Sequence, residues 1–173
     1  MTGSPAAGPE HQAIVAATAH MYLRSKGDPA ATELLLRVHS LLAVHASVSG
    51  GTLIPSGVDV ALARFPHVHA AIEAALALQD EIEAARPEGH RHGKLVGLGI
   101  AAGPLVELPD GRVLGVPAAR ALRLAMLAGP AGDVLLDERS AQSELPAGLG
   151  RHEGRRSMRD LLGFGFHHLA DYR

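Results

Sequence analysis

Eleven histidines are the largest reserve of metal-ligating side chains in this sequence, and their spacing argues against a metal site. A zinc enzyme of the common helical type shows two His four apart on one face, with a carboxylate close by. His67/His69, His90/His92 and His167/His168 are the close sets, and none has that spacing. His67 and His69 fall at an expected helix start, where side chains two apart diverge. His90 and His92 lie in a Gly-flanked loop with Arg91 between them, and His39 and His45, six apart on a helix, face different sides. Solvated or core histidine is the better reading of each, which leaves a His-based metal binder the weakest of three functional classes. Asp59 stands beside a turn, where an Asp commonly accepts backbone hydrogen bonds. Arg120 and Arg123 are three apart on a helix and share one face, which serves equally as its solvated side. No nucleophile elbow, Gly-x-x-x-x-Gly-Lys phosphate loop or dinucleotide fingerprint occurs. Lack of Cys removes disulfides, thiolate metal sites and a Cys nucleophile together.

The elements that must position these residues follow from composition and hydrophobic pattern. Hydrophobic residues make up 47% of the chain but aromatics only 3%, so the core must be built from Leu, Val, Ile and Ala, which suits helices packed on a sheet. The length accommodates one domain, expected over residues 11–173 behind a disordered leader at 1–10, and such a domain buries roughly 70% of its extended surface. No apolar run approaches the ~20 residues that span a bilayer, and the leader lacks a signal peptide's basic start and apolar stretch, so no membrane association and a cytoplasmic location are expected. Sixteen basic against eighteen acidic side chains give a charge of −2, the wrong balance for general nucleic-acid binding. The cluster Arg151, Arg155, Arg156 and Arg159 reads as a solvated hairpin rim.

Residues 12–18 read as a buried strand, although so short a run also fits a helix. Asp28 as N-cap and Pro29 at the first position start a helix carrying Leu34, Leu35, Val38, Leu41, Leu42, Val44 and Val48 on one apolar face, which Gly50-Gly51 ends. Strands are expected at Thr52–Ile54 and Val58–Phe65 around Pro55-Ser56-Gly57, then a helix over about His67–Arg86 with Val68, Ala71, Ile72, Ala75 and Ile82 inward. Lys94–Ala102 reads as a strand, and Leu105–Leu108 with Arg112–Leu114 as a hairpin around Pro109-Asp110-Gly111. Pro117 opens a helix to about Ala128, Gly129-Pro130 stops it, Val134–Leu136 is a further strand, and the tail holds a strand pair broken at Gly163. The fold class is α+β, with one mixed, mostly antiparallel sheet and helices packed on it.

This order is similar to that of the class III adenylate/guanylate cyclase catalytic domain, a ferredoxin-like fold, and particular residues carry the resemblance. GGTLIPSGVDVALARF (50–65) has the spacing of that family's central hairpin, with Asp59 on its Asp position and Ala63-Arg64-Phe65 resembling its close. Val58 departs from the family's Gly before the Asp. GLGIAAGPLV (97–106) looks like the Gly-Ile-x-x-Gly strand, and LGVPAARALRLA (114–125) like the Gly-led helix, with Arg123 on the catalytic Arg position. GDVLLDE (132–138) resembles the strand that follows. The match covers about residues 12–139.

The resemblance implies a reaction in which the ribose 3′-oxygen attacks the α-phosphate and pyrophosphate leaves, at a site shared by the two chains of a dimer. Two Mg²⁺ or Mn²⁺ ions are held between two aspartates, with an Asn, an Arg and a Lys serving ribose and transition-state charge. Carried over residue by residue, most of that set is missing. Residues 11–27 contain no Asp or Glu, so Asp59 is left as a lone, vestigial metal ligand. Arg123 is the vestigial catalytic Arg; the Asn position is Ala119, the Lys position Ala170, and the base-reading positions fall on Arg112 and Pro55. The resemblance therefore implies a degenerate, catalytically inactive cyclase-homology domain with no cofactor, acting as a homodimer or heterodimer whose groove holds a small molecule or docks a signalling partner. Few charges over residues 95–127 leave apolar surface for that dimer. The competing reading is an active cyclase that uses Mg²⁺ or Mn²⁺ with substitute ligands such as His20, or that lends Arg123 to a partner chain.

Overall fold

Seven residues without a single charge, Ala13–Ala19, form strand β1, and all seven are buried because strands flank them on both sides and helices cover both faces. The computed structural model describes residues 12–19, 29–85, 96–128, 133–143, 145–153 and 166–171. After β1 come helix α1 (Pro29–Val48), strands β2 (Thr52–Ile54) and β3 (Ala61–Phe65), helix α2 (Val68–Ala84) and strand β4 (Val96–Ala102). The hairpin β5 (Val106–Glu107) and β6 (Val113–Leu114) leads into α3 (Val116–Ala128), β7 (Val134–Asp137), the short helix α4 (Glu138–Ala141), β8 (Leu149–Glu153) and β9 (Phe166–Asp171). The main sheet runs β2-β3-β1-β4-β7-β9-β8; only β4 and β7 are parallel neighbours. Its first four strands, joined as β1-α1-β2-β3-α2-β4, are the ferredoxin-like arrangement expected from the sequence.

Alternation along β1 divides the core. Ala13, Val15 and Ala17 face α1 and α2, packing with Val38, Leu42, Ile72 and Leu78; Ile14 and Ala16 face Ala121 and Ala125 of α3. On this second face the backbones come very close. A Cβ on Gly99 of β4 would overlap the Ala121 carbonyl oxygen and stand 2.5 Å from the Ala125 nitrogen, so only glycine lets α3 seat there.

Several expectations need correction. Val44 and Val48 are not on the core face of α1: they are exposed, at 56% and 80%, while Ala31, Leu35, Val38, Leu42 and Ala46 face the sheet. They lie roughly 200° and 240° of helical rotation beyond Leu42, which turns them to solvent. The strand expected from Val58 begins at Ala61 instead. Val58 and Asp59 form a turn, and the Ser56 hydroxyl donates to the Val60 carbonyl at 2.7 Å, holding that loop out of the ladder. Helix α4 was not foreseen. The remaining elements lie within a few residues of their expected bounds; Gly50 closes α1 at φ 71°, and His67 caps α2, its Nδ1 accepting from the Ala70 N–H at 3.1 Å. Asp28, Arg86, Lys94, Gly129, Pro130, Gly163 and the 1–10 leader lie outside the described residues. No helix among the described residues is long and apolar enough to cross a membrane.

Candidate functional site

Asp59 sits in the turn before β3, partly exposed, and has a partner of its own. Antiparallel pairing fixes what lies beside it. The last β1–β3 pair is Ala17↔Ala61; β1 runs on through Thr18 and Ala19, while the facing chain leaves the ladder at Val60 and turns at Val58 and Asp59. Thr18 points to the α3 side, is 1% exposed, and its hydroxyl donates to the Ala125 carbonyl at 3.3 Å. The end of the opening strand thus holds a buried hydroxyl engaged with a helix backbone, and residues 12–19 carry no carboxylate. A site for two divalent cations needs several anionic oxygens, and one carboxylate with one occupied hydroxyl does not fit it. No group of three His, Asp or Glu among the described residues is arranged to hold a metal.

Helix α3 directs Pro117, Ala121, Leu124, Ala125 and Ala128 into the core, which turns Ala119 and Arg123 outward together. Both are exposed, and the Ala119 methyl offers nothing to a hydroxyl. Arg120, one turn before Arg123, has a different role that sequence reasoning missed: its Nη1 lies 3.5 Å from Oδ2 of Asp137. Asp137 ends β7, is fully buried, and caps α4. Its Oδ1 accepts from the Ser140 N–H at 2.9 Å, the Ser140 hydroxyl at 2.7 Å and, more weakly, the Ala102 N–H at 3.4 Å. An Asp closing an apolar run, with Ser three residues later, is a capping signal that could have revealed α4.

Arg112 does not reach this region through its side chain. Its Nε donates to Asp110 Oδ2 at 2.7 Å within the hairpin turn, while Asp110 Oδ1 accepts the Arg112 backbone N–H at 3.1 Å. Pro55 lies by the hairpin turn: a Cβ on Gly111 would be 3.7 Å from Pro55 Cγ. The hairpin is pinned to the sheet by Arg64 of β3, whose Nη1 meets Glu107 Oε2 at 2.5 Å. The Arg112 backbone N–H, and then its guanidinium, hold the exposed Asp110 carboxyl below its ordinary value of 3.8. A carboxyl depressed in the fold adds stability above its unfolded value and loses that contribution as pH falls through the lowered one. An NMR titration of the Asp110 carboxyl carbon is expected to give a midpoint below 3.8, moving back toward it in Arg112→Ala; an unmoved midpoint would refute the pairing.

The histidines among the described residues do not converge. His67 and His69 have ring centroids 6.4 Å apart, but His67 is a helix cap and His69 pairs with Glu73 at 3.3 Å. Nε2 of His45 lies 3.0 Å from Glu81, an ion-pair distance without hydrogen-bond alignment, and His168 lies 3.5 Å from Asp133. His167 instead lines an open groove with Glu138, Ala141 and Gln142. His20, His90, His92, Arg155, Arg156 and Arg159 lie outside the described residues; Arg151 is on β8 and Ala170 on β9, opposite Gly150.

The sequence matches no protein-family model and no curated protein. Solved structures do match the fold. The adenylyl cyclase CyaB from P. aeruginosa is 16% identical with a TM-score of 0.65, covering 95% of each chain. An adenylate/guanylate cyclase/hydrolase from Silicibacter pomeroyi is 23% identical with a TM-score of 0.62, over 91% of this chain and 94% of that one. The guanylate cyclase domain of RhGC from Catenaria anguillulae, in complex with GTP, is 12% identical with a TM-score of 0.67, over 95% and 98%. The chain thus has the fold of the class III cyclase catalytic domains.

Proposed function

We propose that this chain is a degenerate class III cyclase-like domain that makes no cyclic nucleotide and acts in the cytoplasm as a dimerising regulatory module. One observation carries the reading: the opening strand, which pairs with β3 from just after Asp59, ends with Thr18 buried and donating to Ala125 and offers no carboxylate, where metal chemistry requires a second one. The exposed methyl of Ala119, one turn from Arg123, supports it. Members of a catalytic unit are strongly non-additive, so Asp59 and Arg123 without the others retain little of its effect. The dimeric form is carried over from proteins of this fold, one of which is described as a non-canonical dimeric guanylyl cyclase domain.

Incubation with ATP or GTP and either Mg²⁺ or Mn²⁺ is expected to yield no cyclic AMP or cyclic GMP above a protein-free blank. Mn²⁺ is the fairer trial because it binds mixed nitrogen and oxygen sites more tightly. Asp59→Ala is expected to change stability by no more than about 1 kcal/mol and to leave the assay flat. Turnover that disappears in both Asp59→Ala and Arg123→Ala would sink the reading and restore an active cyclase with substitute ligands.

A further inference from the structure

Among the described residues, the two strands of the β5–β6 hairpin pair only with each other and stand apart from the main sheet. Two glycines mark where this ribbon joins the body. Gly103, just past β4, has φ 152°, and Gly115, just before α3, has φ 153°, a conformation that a side chain disfavours. Both lie against the same residue. A Cβ on Gly103 would stand 3.1 Å from Pro117 Cγ, and one on Gly115 would stand 3.4 Å from Pro117 Cδ and 2.8 Å from the Pro104 carbonyl oxygen. Outside the two glycines the chain is fixed: the Gly103 N–H donates to the Gln12 carbonyl at 3.0 Å, and Pro117 is buried in the first turn of α3. Between them the ribbon is stiff. Pro104 and Pro109 restrict its backbone, and the Leu108 N–H donates to the Arg112 carbonyl at 2.8 Å. The Gly111 N–H donates to the Leu108 carbonyl at 2.9 Å, and Asp110 holds the Arg112 side chain. A stiff ribbon thus hangs from a rigid body on two adjacent swivels, which is the arrangement of a hinge.

Two kinds of contact hold the ribbon against the sheet. Leu105 and Val113, both half-buried, join Val60 and Leu62 in packing on the cluster of Ile14, Ile54 and Ala101. Arg64 of β3 reaches across to Glu107, and their side chains are 28% and 53% exposed, so salt or a competing anion has access to the pair. We infer that the hairpin is a hinged flap that swings about Gly103 and Gly115 and is latched shut by the Arg64–Glu107 pair. Closed, Leu105 and Val113 complete the apolar cluster on this side of the sheet. Open, they withdraw and leave Ile54, Val60 and Leu62 facing water. Val60 directly follows Asp59, so the flap sets the shape of the sheet face next to that carboxylate. This holds whether or not a nucleotide is turned over there. An anionic group that draws Arg64 away from Glu107 opens the flap; apolar contact alone then holds it.

Distances between nitroxide labels, measured on the full chain by double electron–electron resonance, test the flap. The chain has no cysteine, so Val106→Cys on the hairpin and Ser47→Cys on α1 carry the only labels. Ser47→Cys with Met126→Cys on α3 is the control pair across the body. Labelled chain is diluted into excess unlabelled chain, which keeps every distance within one copy. With Arg64 and Glu107 in place, the Ser47–Val106 pair is expected to give one dominant, narrow distribution. Arg64→Gln should raise a displaced population at least roughly threefold, within what an exposed ion pair governs. Salt at about 1 M, where the screening length falls to ~3 Å, should act on the unmutated pair in the same direction. The swapped pair Arg64→Glu/Glu107→Arg should restore the narrow distribution. Gly115→Ala, whose methyl would press on Pro104 and Leu105 at the base of the ribbon, should move the mean distance. Throughout, the Ser47–Met126 distance should stay where it is. A Ser47–Val106 distribution that neither Arg64→Gln nor salt moves means the pair is no latch, and one that Gly115→Ala leaves in place means the swivel lies elsewhere. Equal broadening in the control pair is loosening of the whole domain, and a broad distribution before any change is a free loop; either result overturns the flap.

Discussion

Asp137→Ala is expected to destabilise the protein by about 4 kcal/mol, within the range for removing one member of a buried ion pair. The carboxylate is fully buried, and four donors converge on it from three separate parts of the chain: Ser140 N–H and hydroxyl, Ala102 N–H, and Arg120. Alanine leaves all four without their acceptor. Ser140 is itself fully buried, so its two donors cannot turn to water; Arg120, 38% exposed, can. The loss should therefore come mostly from the Ser140 and Ala102 side and little from the arginine. Asp137→Asn keeps one acceptor oxygen for Ser140 but turns an amide toward Arg120, and a loss of about 2 kcal/mol is expected. Arg120→Met, which removes only the half-solvated partner, should cost less than either. Denaturant midpoints with unchanged slopes measure the series, and an Asp137→Ala protein within about 1 kcal/mol of wild type would refute the network.

The same cluster marks where sequence reasoning stops. Periodicity is local, so it found the strands and the three long helices: the Pro29 start, the Gly50 stop and the inward stripe of α2 depend on neighbours in the chain. The burial of Asp137 depends on Ala102, 35 residues earlier, and Arg120, 17 earlier, and no local pattern encodes those encounters. Val58 failed as a strand residue for a related reason. Its apolar, β-branched side chain favours a ladder, but Ser56 takes the Val60 carbonyl and the chain turns instead.

The candidate site divides along the same line. That residues 11–27 hold no carboxylate was readable directly, as was the methyl at Ala119. What the end of that strand does instead was not, because it needs the fold: only the packing of α3 on β1 brings the Ala125 carbonyl to the Thr18 hydroxyl. Arg112 shows the opposite limit. The turn carboxylate two residues away claims its side chain. A motif position is thus a statement about backbone, and the side chain's partner has to be found separately.

Gly99→Ala is expected to cost about 3 kcal/mol, the upper end of what one added methyl does in a well-packed core. The reason is what the methyl would meet. At most sites an added Cβ touches side-chain tips that can rotate, but at Gly99 the obstacles are the Ala121 carbonyl and the Ala125 nitrogen, which move only if α3 moves. Displacing α3 also opens the Thr18–Ala125 hydrogen bond and uncovers Ile14 and Ala16 on the central strand. Gly57→Ala is the matched control: nothing lies within 4 Å of its added Cβ, so little change is expected. Thermal or denaturant unfolding of the glycine pair decides the packing claim. A Gly99→Ala protein as stable as Gly57→Ala would mean that the helix does not lie against β4 at this distance, and the placement of Thr18 beneath it would have to be abandoned.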